Sequence, residues 1–323
     1  MNNFLIALAV FLALPLVSNA ADGVPLHRKS VIKFASQKEA AQLLSKRDRF
    51  IRAMSPFDRH SRLRNETADE AAVLELASSS AIPWSDADVQ KLTKVIASAR
   101  KKLMNYKIPF PETVVLIQTN GKEEGGAAYC RGNAVILPKQ RVERDDETKM
   151  EQLLLHELFH VLSNQNPKVR TSLYKIIGFQ TCDPIALPKS LVGRKITNPD
   201  APLFDCYVEL TVEGEKLKAT PVLYASVEKY DAKKGGSFFK YLRFKLMVVE
   251  EVDGKILAKT IDGQPIMLDP GKTASYFENI GRNTGYIIHP DEVLADNFKL
   301  MVLDAPNLKT PRIIDELRKQ LSP

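Results

Sequence analysis

Apolar positions along the chain change their period three times, and each change predicts a different kind of element. In residues 37–54, Ala40, Leu43, Leu44 and Ile51 recur at helical spacing, and Ser55-Pro56 ends the run. A second helical stretch is expected over 68–77. The sequence Ser85-Asp86-Ala87-Asp88 reads as an N-cap with an acidic first turn, opening a helix that continues to about 105. Pro109 and Pro111 break the chain, and the Val-, Leu- and Ile-rich run 113–119 then predicts a strand. Residues 121–126 form a turn, and 127–137 reads as a second strand, adjacent in sequence to a long helix over 147–163. That helix is apolar nearly all round, which predicts burial in the core.

From Asn164 the texture changes. Residues 178–202 are rich in loop formers, including Asp183-Pro184 and Asn198-Pro199-Asp200. Four β-like runs follow, at 207–212, 220–227, 238–252 and 255–261, with a hairpin turn at Glu251-Val252-Asp253-Gly254-Lys255. Helical spacing returns at 275–280, 291–301 and 311–321. The pattern predicts an α+β fold in three stretches: helices, sheet and a buried helix over 21–164, a loop and β-rich insertion over 165–274, and a helical part over 275–323. No internal repeat stands out.

The first twenty residues differ from the rest. An apolar run from Phe4 to Val17 precedes Ser18-Asn19-Ala20, the small-residue pattern of a Sec signal peptide cut after Ala20. Its n-region lacks Lys and Arg, so an uncleaved anchor is the other reading. Either reading places the folded part outside the cytoplasm, secreted or periplasmic. No later segment is long and apolar enough to span a bilayer.

Composition adds little to this. The net charge of +7 is spread over the chain, with brief runs such as Arg100-Lys101-Lys102. No aromatic-interleaved basic stripe appears, which argues against a nucleic-acid partner. Of the three cysteines, Cys182 and Cys206 lie in one loop-rich region and form the expected pair if oxidised, leaving Cys130 as a buried small hydrophobe.

The chemistry is concentrated in His156-Glu157-Leu158-Phe159-His160. Histidines four apart share a helix face, so two imidazole nitrogens can reach one metal ion. Glu157 stands beside them as a candidate base, and the set suits metal-assisted hydrolysis. A buried Glu among leucines is costly without a partner. The chain holds five histidines, and beyond His160 only His289 remains, so a third ligand downstream is His289 or a carboxylate.

This motif resembles that of the zincin metallopeptidases. Ser163 and Asn166 stand where the metzincin branch needs Gly and His. The segment Glu292-Val293-Leu294-Ala295-Asp296 is similar instead to the third-ligand helix of the gluzincins. Carried over residue by residue, the resemblance implies that Glu292 completes a Zn2+ site with His156 and His160. It also implies that Asp296 accepts a hydrogen bond from a ligand histidine, His156. Tyr286 and His289 compete for the role of hydrogen-bond donor to the oxyanion, and His289 is also the rival third ligand. The fold implied is a zincin-like core: a mixed sheet with an edge strand, an active-site helix and a helical lower part, here carrying the β-rich insertion. The strand ahead of the zinc helix would be that edge strand, where a substrate backbone can pair. One departure is the 132 positions between His160 and Glu292, far more than in thermolysin-like enzymes. The Gly-x-Met-Glu-Asn exopeptidase signature is absent.

The expected activity is therefore that of a zinc-dependent metallopeptidase, a hydrolase acting on peptide or protein substrates. A zinc-binding module without turnover and a metal-free envelope binding protein are the competing readings.

Overall fold

The computed structural model describes residues 23–322, so the expected leader, 1–20, lies outside the described residues. The fold is mixed α+β, with two main sheets and a long, largely buried helix. The first sheet runs in the order Val24–His27, Ser30–Phe34, Thr113–Thr119, Ala134–Pro138, Tyr129–Arg131. Its three middle strands are parallel, and an antiparallel strand closes each side. Ala134–Pro138 is buried at every position, as a strand covered on both faces should be.

The expected strand 127–137 is in fact a tight hairpin, Tyr129–Arg131 and Ala134–Pro138. Gly132 takes φ 65°, the left-handed value that the first central position of a type II′ turn needs. The period-two pattern carries on across such a turn, so the reversal was invisible in it. The result is an edge strand of only three residues, Tyr129–Arg131.

The second sheet is antiparallel, in the order Lys255–Ala258, Leu242–Val252, Glu215–Ala225, Cys206–Val212, Phe179–Thr181. Its hairpin turns where the sequence places it, with Asp253 and Gly254 both at positive φ and Val252 facing Lys255. The run expected at 238–252 begins instead with a helical turn, Phe238–Tyr241. Residues 37–54 divide into helices Gln37–Leu44 and Arg49–Ala53, because Asp48 caps a new start by accepting the Ile51 N–H at 3.1 Å.

One buried cluster joins all the parts. It includes Leu92 and Val135 near the first sheet, Leu154 and Leu158 on the long helix, Val208 and Leu246 on the second sheet, and Leu317 near the C-terminus. The long helix Glu147–Gln165 lies against Asp86–Leu103 on one side and Pro290–Val302 on another. No described helix is long and apolar enough to cross a membrane.

The three cysteines are free. The expected Cys182–Cys206 pair fails on strand register. Cys206 faces Thr181, while the Cys182 N–H donates to the Asp205 carbonyl, so the two thiols leave opposite faces of the ladder.

Candidate metal centre

Two helices build the site. Glu147–Gln165 starts at Asp146, whose carboxylate accepts the Lys149 N–H at 2.8 Å, and then enters the core. His156, Glu157 and His160 are all buried there, among leucines fully withdrawn from solvent. Pro290–Val302 packs beside it and brings Asp291, Glu292 and Asp296 to the two rings.

The contacts follow an antiparallel register. His156 Nδ1 lies 3.1 Å from Asp296 Oδ1, and His160 Nδ1 lies 2.7 Å from Asp291 Oδ2. Advancing four residues along the first helix retreats five along the second. Each Nδ1–H therefore has a carboxylate to donate to, which leaves each Nε2 with its lone pair facing inward. Those Nε2 atoms are 3.1 Å apart, and Glu292 Oε2 lies 3.2 and 3.4 Å from them.

Three such atoms converging need positive charge between them, supplied by a ring proton or by a metal cation. Ligand atoms held about 2.05 Å from a tetrahedral zinc are about 3.3 Å apart, which matches the spacing here. His156, His160 and Glu292 thus form a buried group that can hold a metal ion.

The electrostatics agree. Burial alone lowers His156, but hydrogen bonds to Asp296 and Glu292 outweigh it and hold the ring up at about 9. Burial also opposes charge on His160, yet Asp200, Glu292 and Asp291 raise it well above the usual histidine range. Burial favours a neutral Glu292, but His160 and the His156 hydrogen bond hold it well below the usual carboxylate range. The pocket stabilises positive charge at the two rings.

Glu157 sits beside this group, 3 % exposed, with Oε2 lacking any hydrogen-bond partner. Burial raises its pKa, against the pull of His156 and His160. An unpartnered buried carboxylate oxygen is expensive, and a polar group beside the metal position would satisfy it.

Three residues around the rings, Asp291, Asn198 and Asp200, were not expected from sequence as part of the site. Asp291, in the first turn of its helix, fixes His160 and is itself held by Ser163 Oγ at 2.5 Å and Tyr174 OH at 2.8 Å. Asn198 Nδ2 donates to Glu292 Oε1 at 2.6 Å, holding that carboxylate by the oxygen turned away from the rings. Asp200 accepts the Cys130 N–H of the edge strand at 2.6 Å and lies within 4.8 Å of Glu157 and His160 ligand atoms. A clamp around Thr197 fixes this loop. Asp58 accepts its N–H and hydroxyl, while Arg62 reaches its carbonyl and pairs with both Asp58 and Glu124.

Tyr286 and His289 separate. Tyr286 is 43 % exposed, lines the cleft above the rings and stacks on His156 at 6.0 Å and 15°. The Glu292 charge, then burial, raises its phenol pKa, keeping the proton on. His289 does not reach the cleft. Its Nδ1 accepts the Asp291 N–H at 3.2 Å as the helix N-cap, and Nε2 faces Cys206 Sγ at 3.8 Å. With both ring nitrogens engaged, it is neither third ligand nor oxyanion donor.

The cleft encloses about 610 Å³ and reaches from Ala127 and Ala128, just ahead of the edge strand, to Tyr286 and Asp296. Compared with known proteins, the chain matches no protein-family model, no curated protein and no solved structure.

Proposed function

We propose that the chain is a zinc metallopeptidase of the gluzincin type, hydrolysing peptide bonds with Glu157 as general base and, later, proton donor to the leaving amine. The observation that carries this reading is the convergence of His156 Nε2, His160 Nε2 and Glu292 Oε2 beside a buried carboxylate with an unpartnered oxygen. Two imidazoles and one carboxylate are the ligands of catalytic zinc, leaving a position for water, whereas structural sites close all four. Zinc bound there supplies Lewis acidity, polarising the scissile carbonyl and acidifying water at neutral pH.

The chain's own groups do the rest. Glu157 takes the proton of the attacking water, and Tyr286, protonated and exposed in the cleft, donates a hydrogen bond to the developing oxyanion. Asp296 and Asp291 keep each ring in its metal-binding tautomer, and Asn198 aims Glu292. A parallel-stranded sheet with an antiparallel edge, a helix under it and a second ligand helix support a zincin-like core. Export to the envelope or beyond rests on the sequence of residues 1–20 alone.

A second reading is a metal-binding protein without turnover. Asp200 favours it, because a carboxylate so close to His160 and Glu157 can close the position that water needs. One experiment separates the two. Purified protein is assayed for metal and for cleavage of a peptide library, with and without chelator, as parent and as Glu157→Gln. We expect stoichiometric zinc in both, chelator-sensitive cleavage by the parent, and a rate lower by about 10²–10⁴ in the variant. Zinc in both with cleavage by neither supports the second reading; equal cleavage by both removes Glu157 from the mechanism.

A further inference from the structure

The charges lining the cleft are sorted along its length. Glu157, Asp200, Glu292 and Asp296 gather at the histidine end. Another part of the lining, a basic wall, is made by Arg141 and Arg144, from the short helix Lys139–Arg144, together with Lys149, two turns before His156 on the long helix. Arg141 and Arg144 bracket a single carboxylate, Asp145, at 3.0 and 2.9 Å. Lys149 forms no ion pair among the described residues and is exposed. Three cations against one anion leave this wall positive, while at the histidine end the four acids meet Lys299, which pairs with Asp296 at 2.6 Å.

We propose that this wall selects peptides carrying a carboxylate about three residues from the scissile bond, whether an aspartate or glutamate side chain or the peptide's own terminus. The proposal rests on the metallopeptidase reading and names its substrate class. Its geometry comes from the helix itself. Lys149 and His156 share a face two turns apart, about 10 Å along the axis. An extended peptide advances about 3.4 Å per residue, so a carboxylate three residues from the bond at the histidines reaches Lys149. Arg141 and Glu157 line the same cleft, so the basic wall and the reaction centre belong together.

The test uses metal-loaded Glu157→Gln as a trap that binds without turnover. Fluorescent peptides matched to a parent cleavage site carry Glu, Gln or Lys at successive positions, each with a free or an amidated terminus. Glu or the free terminus is expected to bind about tenfold tighter than its neutral counterpart at one position, and the preference to fade near 1 M salt, where screening leaves about 3 Å. In the parent enzyme it is expected in KM and not in kcat. The double reversal Arg144→Glu, Lys149→Glu should invert the order, Lys above Glu. Loss of the preference on amidation assigns the terminal carboxylate, and loss on Glu-to-Gln exchange assigns the side chain. If neutral and acidic peptides bind alike, or the reversal leaves the order intact, the proposal is wrong while cleavage by the parent keeps the peptidase reading. If the metal-loaded parent cleaves no peptide in the library, both fall.

Discussion

At the scale of single residues, the centre is a problem of directed lone pairs. His156 and His160 each give their Nδ1–H to an acid on the neighbouring helix, and only then do both Nε2 atoms point at Glu292. If the centre holds zinc as proposed, Asp296→Ala should weaken its binding about 10- to 100-fold, read by competition with a chromophoric chelator. Asn198→Ala should act in the same direction, since Glu292 Oε1 then loses its donor. Affinities equal to the parent's in both variants would show that the rings and the carboxylate are held by something else. Asp296 was legible because it stands one turn beyond Glu292 on a recognisable helix. Asp291 was not, although it adjoins Glu292, because the partner of His160 depends on how the two helices are registered. His289 shows the converse: it has the right chemistry, and its position turns it inward to cap the helix.

At the scale of elements, the loop 197–200 matters most. Its sequence, Thr197-Asn198-Pro199-Asp200, reads as a turn and says nothing of where the turn docks. Its place is set by Arg62, whose buried guanidinium joins Asp58, Glu124 and the Thr197 carbonyl. Breaking a buried ion network from one side leaves an uncompensated charge, so Arg62→Met should cost about 3–5 kcal/mol in urea unfolding. Zinc affinity should fall with it, because Asn198 follows directly on the clamp. A stable Arg62→Met chain with parent affinity would mean that the loop is held by its own packing. Elsewhere the elements were largely legible. Thr113–Thr119 and Pro311–Leu321 lie where hydrophobic period places them, and the Ser85 capping box opens Asp86–Leu103 as its residue types require.

At the scale of the whole molecule, metal and fold should be linked. An ion that binds only the native state stabilises it by about 4 kcal/mol when present at a thousand times its Kd. Chelation should therefore lower the unfolding temperature of the parent, and His160→Ala should lose most of that dependence; identical chelator shifts would place the ion elsewhere. A separate pH effect belongs to Lys195, which burial lowers from 10.5 to about 8 while its ammonium donates to the Ala53 and Pro202 carbonyls. Between those values the unfolded chain keeps a proton that the folded chain has released, so stability rises with pH across the window. Relative to Lys195→Met, the parent should gain stability from pH 8 to 10.5. A constant difference between the two urea midpoints would show that Lys195 titrates normally.

The sequence by itself determined the pieces whose physics is local: helix faces, caps, hairpin turns, and two histidines one turn apart with a glutamate beside them. It also marked the second acidic helix, because an i, i+4 spacing survives wherever the helix is placed. Tertiary structure decided everything that depends on chains meeting. It put Glu292 rather than His289 beside the two rings, gave His160 its carboxylate, brought Asn198 and Asp200 to the site, set Cys182 and Cys206 on opposite faces and gathered a basic wall into the cleft. Those outcomes follow from helix register, strand pairing and loop docking across tens to more than a hundred residues, and no periodicity along the chain encodes them.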